Sequence, residues 1–414
     1  MSHCMRIALF MTLISTSFSL EQTLSSRSIL FPKEDRVEKS IISNFKFSLD
    51  VIRNSVSKEE NVLFSPFGAS VALGVTSLAA QGKTLDEIQA ALNLKTGNGN
   101  VSLEEEIKES IESMKNSEGG SIDFATCIFT QSSCGIMPFF GRKAIDIYQS
   151  DIQQLNFSIK KSAAFTINNW VAKHTHDKIM TLVDENSLNP DVQVMITNAI
   201  YFRGDWKLPF NSTFTKEKQF KNIKNQTTPV QMMRRTTDFQ QAYDSDTNTR
   251  VLSLPYADNK TSMIILLPRN VDGLPKLLQS LTPETLQRMT AGLTYSHVTV
   301  ELPKFKLEVE YSLKSTLSKL GIKDLFTTKL VHIFNTRANL TGIVCNNDVY
   351  VNDVIQKSFI EVEETGTTAA AATSIELIPL SKPFEFTVDH PFAFLIMDRV
   401  SEIVLFIGSV FDLP

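Results

Sequence analysis

One mixed α+β domain built around large antiparallel sheets is the fold class this sequence predicts, and three observations carry it. Early in the chain, apolar residues recur at helical spacing; from Ile122 onward short runs read as strands with few helical pieces between them. No fixed-period repeat and no Pro-rich or Ser-rich linker divides the 414 residues. Hydrophobic residues make up 42% and charged residues 21%, so size alone supplies a core.

Taken in order, the chain opens with Met1, a lone Arg6, an apolar stretch from Ile7 to Ile14 and small residues through Ser17-Phe18-Ser19. That pattern predicts a signal peptide over 1–19, a mature single domain over 20–414, and an exported, extracellular protein. No later run approaches the ~18 apolar residues of a membrane span. Glu34–Ser55 places Val37, Ile41, Ile42, Phe45, Leu49 and Ile52 on one helical face. Ser70–Ala80, after Pro66, is apolar almost all round and predicts a buried helix. Thr84–Leu92 reads as the next helix, with Thr84 as cap and Glu87 three residues on. Ser102–Met114 is an acidic helix with Glu104, Glu105, Glu106, Glu109 and Glu112 on a solvated face. Strands are predicted at Phe124–Thr130, Val192–Tyr201, Val251–Leu254, Ser262–Leu267, Val298–Leu302, Phe392–Ile396 and Ile403–Ile407. Helical pieces fall at Ala164–Thr175, Leu274–Leu281 and Tyr311–Leu320.

The formal net charge of −4 argues against a nucleic-acid binder. HExxH, GxSxG, GxGxxG and GxxxxGK[ST] are all absent, so no common catalytic or nucleotide signature points to an enzyme. His174 and His176, two apart, would face different ways on a helix, and neither a metal nor a cofactor is expected. Removal of the leader takes Cys4 and leaves Cys127, Cys134 and Cys345 without CxxC spacing. They read as buried small apolar residues, with pairing or a reactive thiol as the alternative, and disulfides are not expected to hold the fold. Asn100, Asn156, Asn211, Asn225, Asn259 and Asn339 head glycosylation sequons suited to an exported glycoprotein.

One stretch stands apart: Glu363-Glu364-Thr365-Gly366 and then Thr367, Thr368, Ala369, Ala370, Ala371, Ala372 and Thr373, running on to Leu380-Ser381. With period two, Thr367, Ala369, Ala371, Thr373, Ile375 and Leu377 form one uncharged face; the other holds only Glu376 as a charge. Such a segment suits insertion between two existing strands, while its composition also suits a flexible linker or a short helix.

Four ordered motifs decide between these readings. The first is Asn61–Leu94, with Phe64-Ser65-Pro66 heading the buried helix, and the second is Phe165–Trp206, closing in Thr197-Asn198-Ala199-Ile200-Tyr201-Phe202-Arg203-Gly204-Asp205-Trp206. The third is Glu364 and Gly366-Thr367-Thr368 with the Ala run, and the fourth is Phe386–Phe394 around His390-Pro391-Phe392. In these four, which look like an early helical block, the block after it, the hinge and the C-terminal signature, the chain resembles the serpins, a family of serine protease inhibitors, over nearly all its mature length.

The resemblance implies three sheets with eight or nine helices and an exposed reactive-centre loop at about 364–385. Ser65, Asn198, Trp206 and Gln356 would lie in the region that opens to admit that loop. A target protease would acylate at the residue before the scissile bond, and the freed strand would enter the central sheet and carry the enzyme along. Four residues depart from the family's pattern: Thr368 replaces the usual Glu of inhibitory members, Gly68 and Gln356 stand for Ser and His, and Ala393 for a bulkier residue. The acidic helix lacks the basic cluster of heparin-activated members, so no glycosaminoglycan activation is expected through it.

Among the loop bonds, Lys382-Pro383 and Ile378-Pro379 are poor substrates because proline follows, which leaves Leu380-Ser381. Leu380 suits the deep apolar pocket of chymotrypsin-like enzymes, cathepsin G or chymase types included, with elastases second and trypsin or thrombin weak. A non-inhibitory carrier or chaperone of the same family is the alternative, and an exported enzyme or adhesion module a third. A monomer without membrane attachment is expected.

Overall fold

The computed structural model describes residues 44–54, 59–92, 104, 107–109, 111–112, 120–327, 338–345, 349–365, 382–399 and 401–413. Among these, nine α-helices surround hydrogen-bonded sheets of nine, five and two strands, as expected.

The five-stranded sheet runs in the order Phe305–Ser312, Val351–Val362, Val194–Gly204, Gly120–Gln131, Asp151–Leu155. Two of its four pairs are parallel, the edge pair of Gly120–Gln131 with Asp151–Leu155 and one in the interior of the sheet. Val351–Val362 lies parallel to Val194–Gly204, while the flanking pairs Phe305–Ser312 with Val351–Val362 and Val194–Gly204 with Gly120–Gln131 are antiparallel. A parallel pair survives best when covered on both faces, and this one is. Ile196, Ile200, Val354 and Ile360 face the main core; Met195, Ala199, Tyr201 and Phe359 face a smaller core. The Lys160–His174 helix closes that smaller core with Ile167, Trp170 and Val171.

The larger sheet is antiparallel through its middle and has the strands Phe392–Asp398 and Val404–Val410, buried at every residue, near one end. At the other edge Phe384–Thr387 pairs parallel with Thr294–Pro303. The segment 366–381 therefore connects the two sheets: it follows Val351–Val362 and precedes Phe384–Thr387.

Pro66–Ala79 is the buried helix. Pro66 is preset for its first turn, the Ser65 hydroxyl accepts from the Gly68 amide at 3.1 Å, and the helix starts four residues earlier than Ser70. The next helix, Gly82–Ala91, corrects the expected cap. Gln81 occupies the N-cap without a side-chain bond; Thr84 lies inside, fully buried, accepting from the Asn339 amide at 3.0 Å. Glu87 instead accepts from the Lys323 and Asp324 amides, each at 2.8 Å, so its partner is tertiary. Among the described residues of the acidic stretch, 104, 107–109, 111 and 112 are helical, with Ile107 and Ile111 buried and Glu104 paired to Lys143.

The helix expected over Tyr311–Leu320 covers only Lys314–Lys319, because Tyr311 lies within the strand Phe305–Ser312. The cysteines divide. Cys127 is buried in the smaller core as expected, but Cys134 and Cys345 form a disulfide across 211 residues of sequence. The two-stranded ribbon of Gly135–Ile136 with Ile343–Val344 brings them together, a long-range pairing that no local spacing could reveal.

Candidate functional site

Gln356 and Asn198 sit opposite each other on the parallel pair, and both side chains are wholly buried. The Gln356 amide donates to the Ser65 carbonyl at 2.9 Å and to Asn198 Oδ1 at 3.0 Å, and its Oε1 accepts from the Ser65 amide at 2.8 Å. Asn198 donates onward to Thr126 Oγ1 at 2.9 Å, and the Ser65 hydroxyl to the Leu405 carbonyl at 2.6 Å. This buried chain of bonds fastens the two strands to each other, to Gly120–Gln131 and to the start of the buried helix. Parting the strands means breaking it.

Gly68 makes the arrangement possible. A Cβ there would lie 2.1 Å from Ile200 Cδ1 and 2.3 Å from Asn198 Oδ1, the same oxygen that Gln356 holds. Gly68 and Gln356, two of the departures noted in the sequence, therefore meet at one point, Asn198 Oδ1. Replacing Gln356 by Leu keeps the bulk but strips the Ser65 amide and Asn198 Oδ1 of a partner, at about 1–3 kcal/mol per orphaned group. Chemical denaturation of Gln356→Leu should show a midpoint loss of that size; an unchanged midpoint would remove the network's fastening role.

At the upper end of the pair the chain turns off the sheet at Glu363–Thr365, and Trp206 holds it. The Trp206 amide donates to the Thr365 carbonyl at 3.2 Å, its Nε1 to the Glu363 carbonyl at 2.8 Å, and the Phe210 amide to the Glu364 carbonyl at 2.8 Å. Tyr256 stacks on the Trp206 ring at 4.5 Å and 10° and fixes it. Glu364 is bound by the Thr215 hydroxyl at 2.8 Å and by Lys304 at 2.8 Å.

Burial pushes the Glu364 carboxyl up, but hydrogen bonds from Lys304, its own amide and Thr215, with the Lys304 charge, outweigh it, so the group lies below its ordinary value of 4.5. A depressed carboxylate stabilises the fold fully above that ordinary value and loses its contribution as pH falls through the lowered one. The melting-temperature gap between wild type and Glu364→Gln should therefore shrink below pH 4.5. A gap constant into stronger acid would contradict the anchor.

Of the predicted site residues, the structure brings together Ser65, Asn198 and Gln356 in the network and Trp206 with Glu364 at the turn. Gly366, Thr367, Thr368, Ala369, Ala370, Ala371, Ala372, Thr373, Leu380 and Ser381 lie outside the described residues, as do Asn100 and the leader. Asn156, Asn211, Asn225, Asn259 and Asn339 are all exposed. The sequence reading missed Thr126, Tyr256, Thr215 and Lys304, which carry no motif and become partners only through sheet pairing. Among the described residues no cluster of His, Cys, Asp and Glu could hold a metal, and no helix is long and apolar enough to cross a membrane.

Comparison with known proteins gives the same picture from a different direction. The family model described as serpin (serine protease inhibitor) matches residues 42–413. The leukocyte elastase inhibitor of Xenopus tropicalis is 35% identical over 370 residues, covering 87% of this chain and 96% of that protein. Human Serpin B4 is 32% identical over 387 residues, covering 88% and 97%. Among solved structures, the mouse protein-Z dependent protease inhibitor superposes with a TM-score of 0.81 at 26% identity, covering 92% of this chain and 98% of that one.

Proposed function

The chain belongs to the serpin family of serine protease inhibitors, and from that premise we propose that it traps chymotrypsin-like serine proteases by inserting its cleaved loop between Val351–Val362 and Val194–Gly204. The family is one of protease inhibitors rather than catalysts, so the chain is not itself an enzyme.

The parallel pair is the observation that carries the mechanism. A segment that doubles back after Thr365 runs antiparallel to Val351–Val362, and hence antiparallel to Val194–Gly204 as well. Insertion would replace one parallel ladder by two antiparallel ones, the more stable pairing per residue. From Thr367 to Leu380 there are fourteen residues. At ~3.3 Å each they span roughly 46 Å, enough to carry an attached enzyme across the molecule. Before cleavage the loop is tied to one sheet at Thr365 and to the other at Phe384, so it cannot enter along its whole length.

Leu380 as the residue before the scissile bond favours enzymes with a deep apolar pocket, cathepsin G or chymase types among them. The name of the Xenopus relative supports elastases as a second class. Mass spectrometry of the peptide released on inhibition should show a fragment beginning at Ser381. A fragment starting elsewhere, or strong inhibition of trypsin, overturns the specificity.

Export belongs to the same proposal. The Cys134–Cys345 disulfide and the exposed sequon asparagines suit an oxidising, extracellular setting. A secreted product whose first residue lies near position 20, and which shrinks on glycan removal, is the expected observation; retention of residues 1–19 in the cytosol would contradict it.

A further inference from the structure

A pocket of about 330 Å³ opens on the nine-stranded sheet, between Lys216–Lys221, Thr227–Asp244 and Thr294–Pro303. Lys216, Lys218, Arg234 and Arg235 line it, with Glu301 as the lone carboxylate. That carboxylate is already engaged: Lys218 binds it at 2.6 Å, Arg234 lies at 3.5 Å, and the Thr387 hydroxyl donates at 3.2 Å.

The remaining donors are left over. Lys216 has no ion-pair partner among the described residues, while Arg235 donates through Nη1 to the Pro209 carbonyl and keeps a buried Nε without any partner. A buried unpaired donor is costly, and four cations against the single Glu301 carboxylate leave the cavity net positive, which favours entry of a further counter-charge. Arginine forks and lysines together match the oxygens of phosphate and sulfate groups. The volume exceeds that of one such group and falls at the small end of ligand pockets, so two linked groups or one group on a sugar fit.

We propose that this pocket, framed by Phe214, Lys216, Lys218, Arg234, Arg235 and Glu301, binds a small ligand bearing phosphate or sulfate ester groups. The site is separate from the strand pair, and its neighbour Thr215 is the residue that binds Glu364 at the hinge.

Calorimetric titration of the full chain at low salt, with inorganic pyrophosphate and separately with a sulfated disaccharide, tests it. Saturable binding at about 1 mM or tighter is expected for at least one probe, and the better binder tells phosphate from sulfate recognition. Lys216→Gln with Arg234→Gln should weaken it about tenfold or more, and Lys161→Gln, remote from the pocket, should leave it unchanged. Glu301→Gln should tighten it, because the variant keeps a hydrogen-bonding side chain and removes the competing charge. No saturable heat with either probe, or binding that ignores the double substitution and the change at Glu301, would overturn the site.

Discussion

Cleavage of the loop at Leu380-Ser381 should raise the melting temperature by on the order of 10 °C or more. Each inserted residue gains ladder bonds worth ~0.5–1.5 kcal/mol net, about ten kcal/mol over the inserted length. For a domain of this size unfolding entropy is roughly 0.8 kcal/mol per degree, which converts that gain into the expected shift. The structure supplies the destination: a parallel pair already covered on both faces, with Gln356 and Asn198 as the fastening that must open first. Calorimetry before and after a single nick measures it. A melting temperature unmoved by the nick is the outcome for a carrier whose loop stays out, and would exclude insertion here.

Thr367→Arg should convert the inhibitor into a substrate. Thr367 leads the uncharged face of the loop, and an arginine there would enter the sheet as an unpaired buried charge at a cost of several kcal/mol. The acyl-enzyme stands at a fork between insertion and hydrolysis. Every ~1.4 kcal/mol added to the insertion barrier slows it tenfold, so the yield of trapped enzyme should fall by about two orders of magnitude while the loop is still cut. Thr367→Val, of the same shape and uncharged, should trap normally. Wild-type trapping by the arginine variant would show that this face is not buried in the product.

Helices and buried strands were legible where a local pattern marks them. Pro66 and the apolar run after it announce the buried helix, and Phe392–Met397 is an unbroken apolar run within the strand Phe392–Asp398. Val351–Val362 left no such mark, because Asn352, Asp353, Gln356 and Lys357 break the apolar pattern. Its polar residues are explained only by partners far away: Gln356 by Ser65, Lys357 by Glu308 and Glu310. The strand Thr227–Asp244 was hidden in the same way, since it leaves one face exposed and carries Arg234, Arg235 and Asp238. Thr84 and Glu87 had the spacing of a capping pair yet serve tertiary contacts, a case of long-range bonds overriding a local rule. The site residues Ser65, Asn198, Trp206 and Gln356 came through resemblance, and the structure adds the reason they act together. Gly68 leaves the space into which the Asn198 amide fits.

The most direct test of the central claim is to mix the protein with chymotrypsin and run the mixture on a denaturing gel. Trapping by insertion predicts a covalent band at the summed mass of protease and inhibitor less the short C-terminal peptide, which is released from Ser381 onward. Complete cleavage of the loop with free, active chymotrypsin and no covalent band would contradict it.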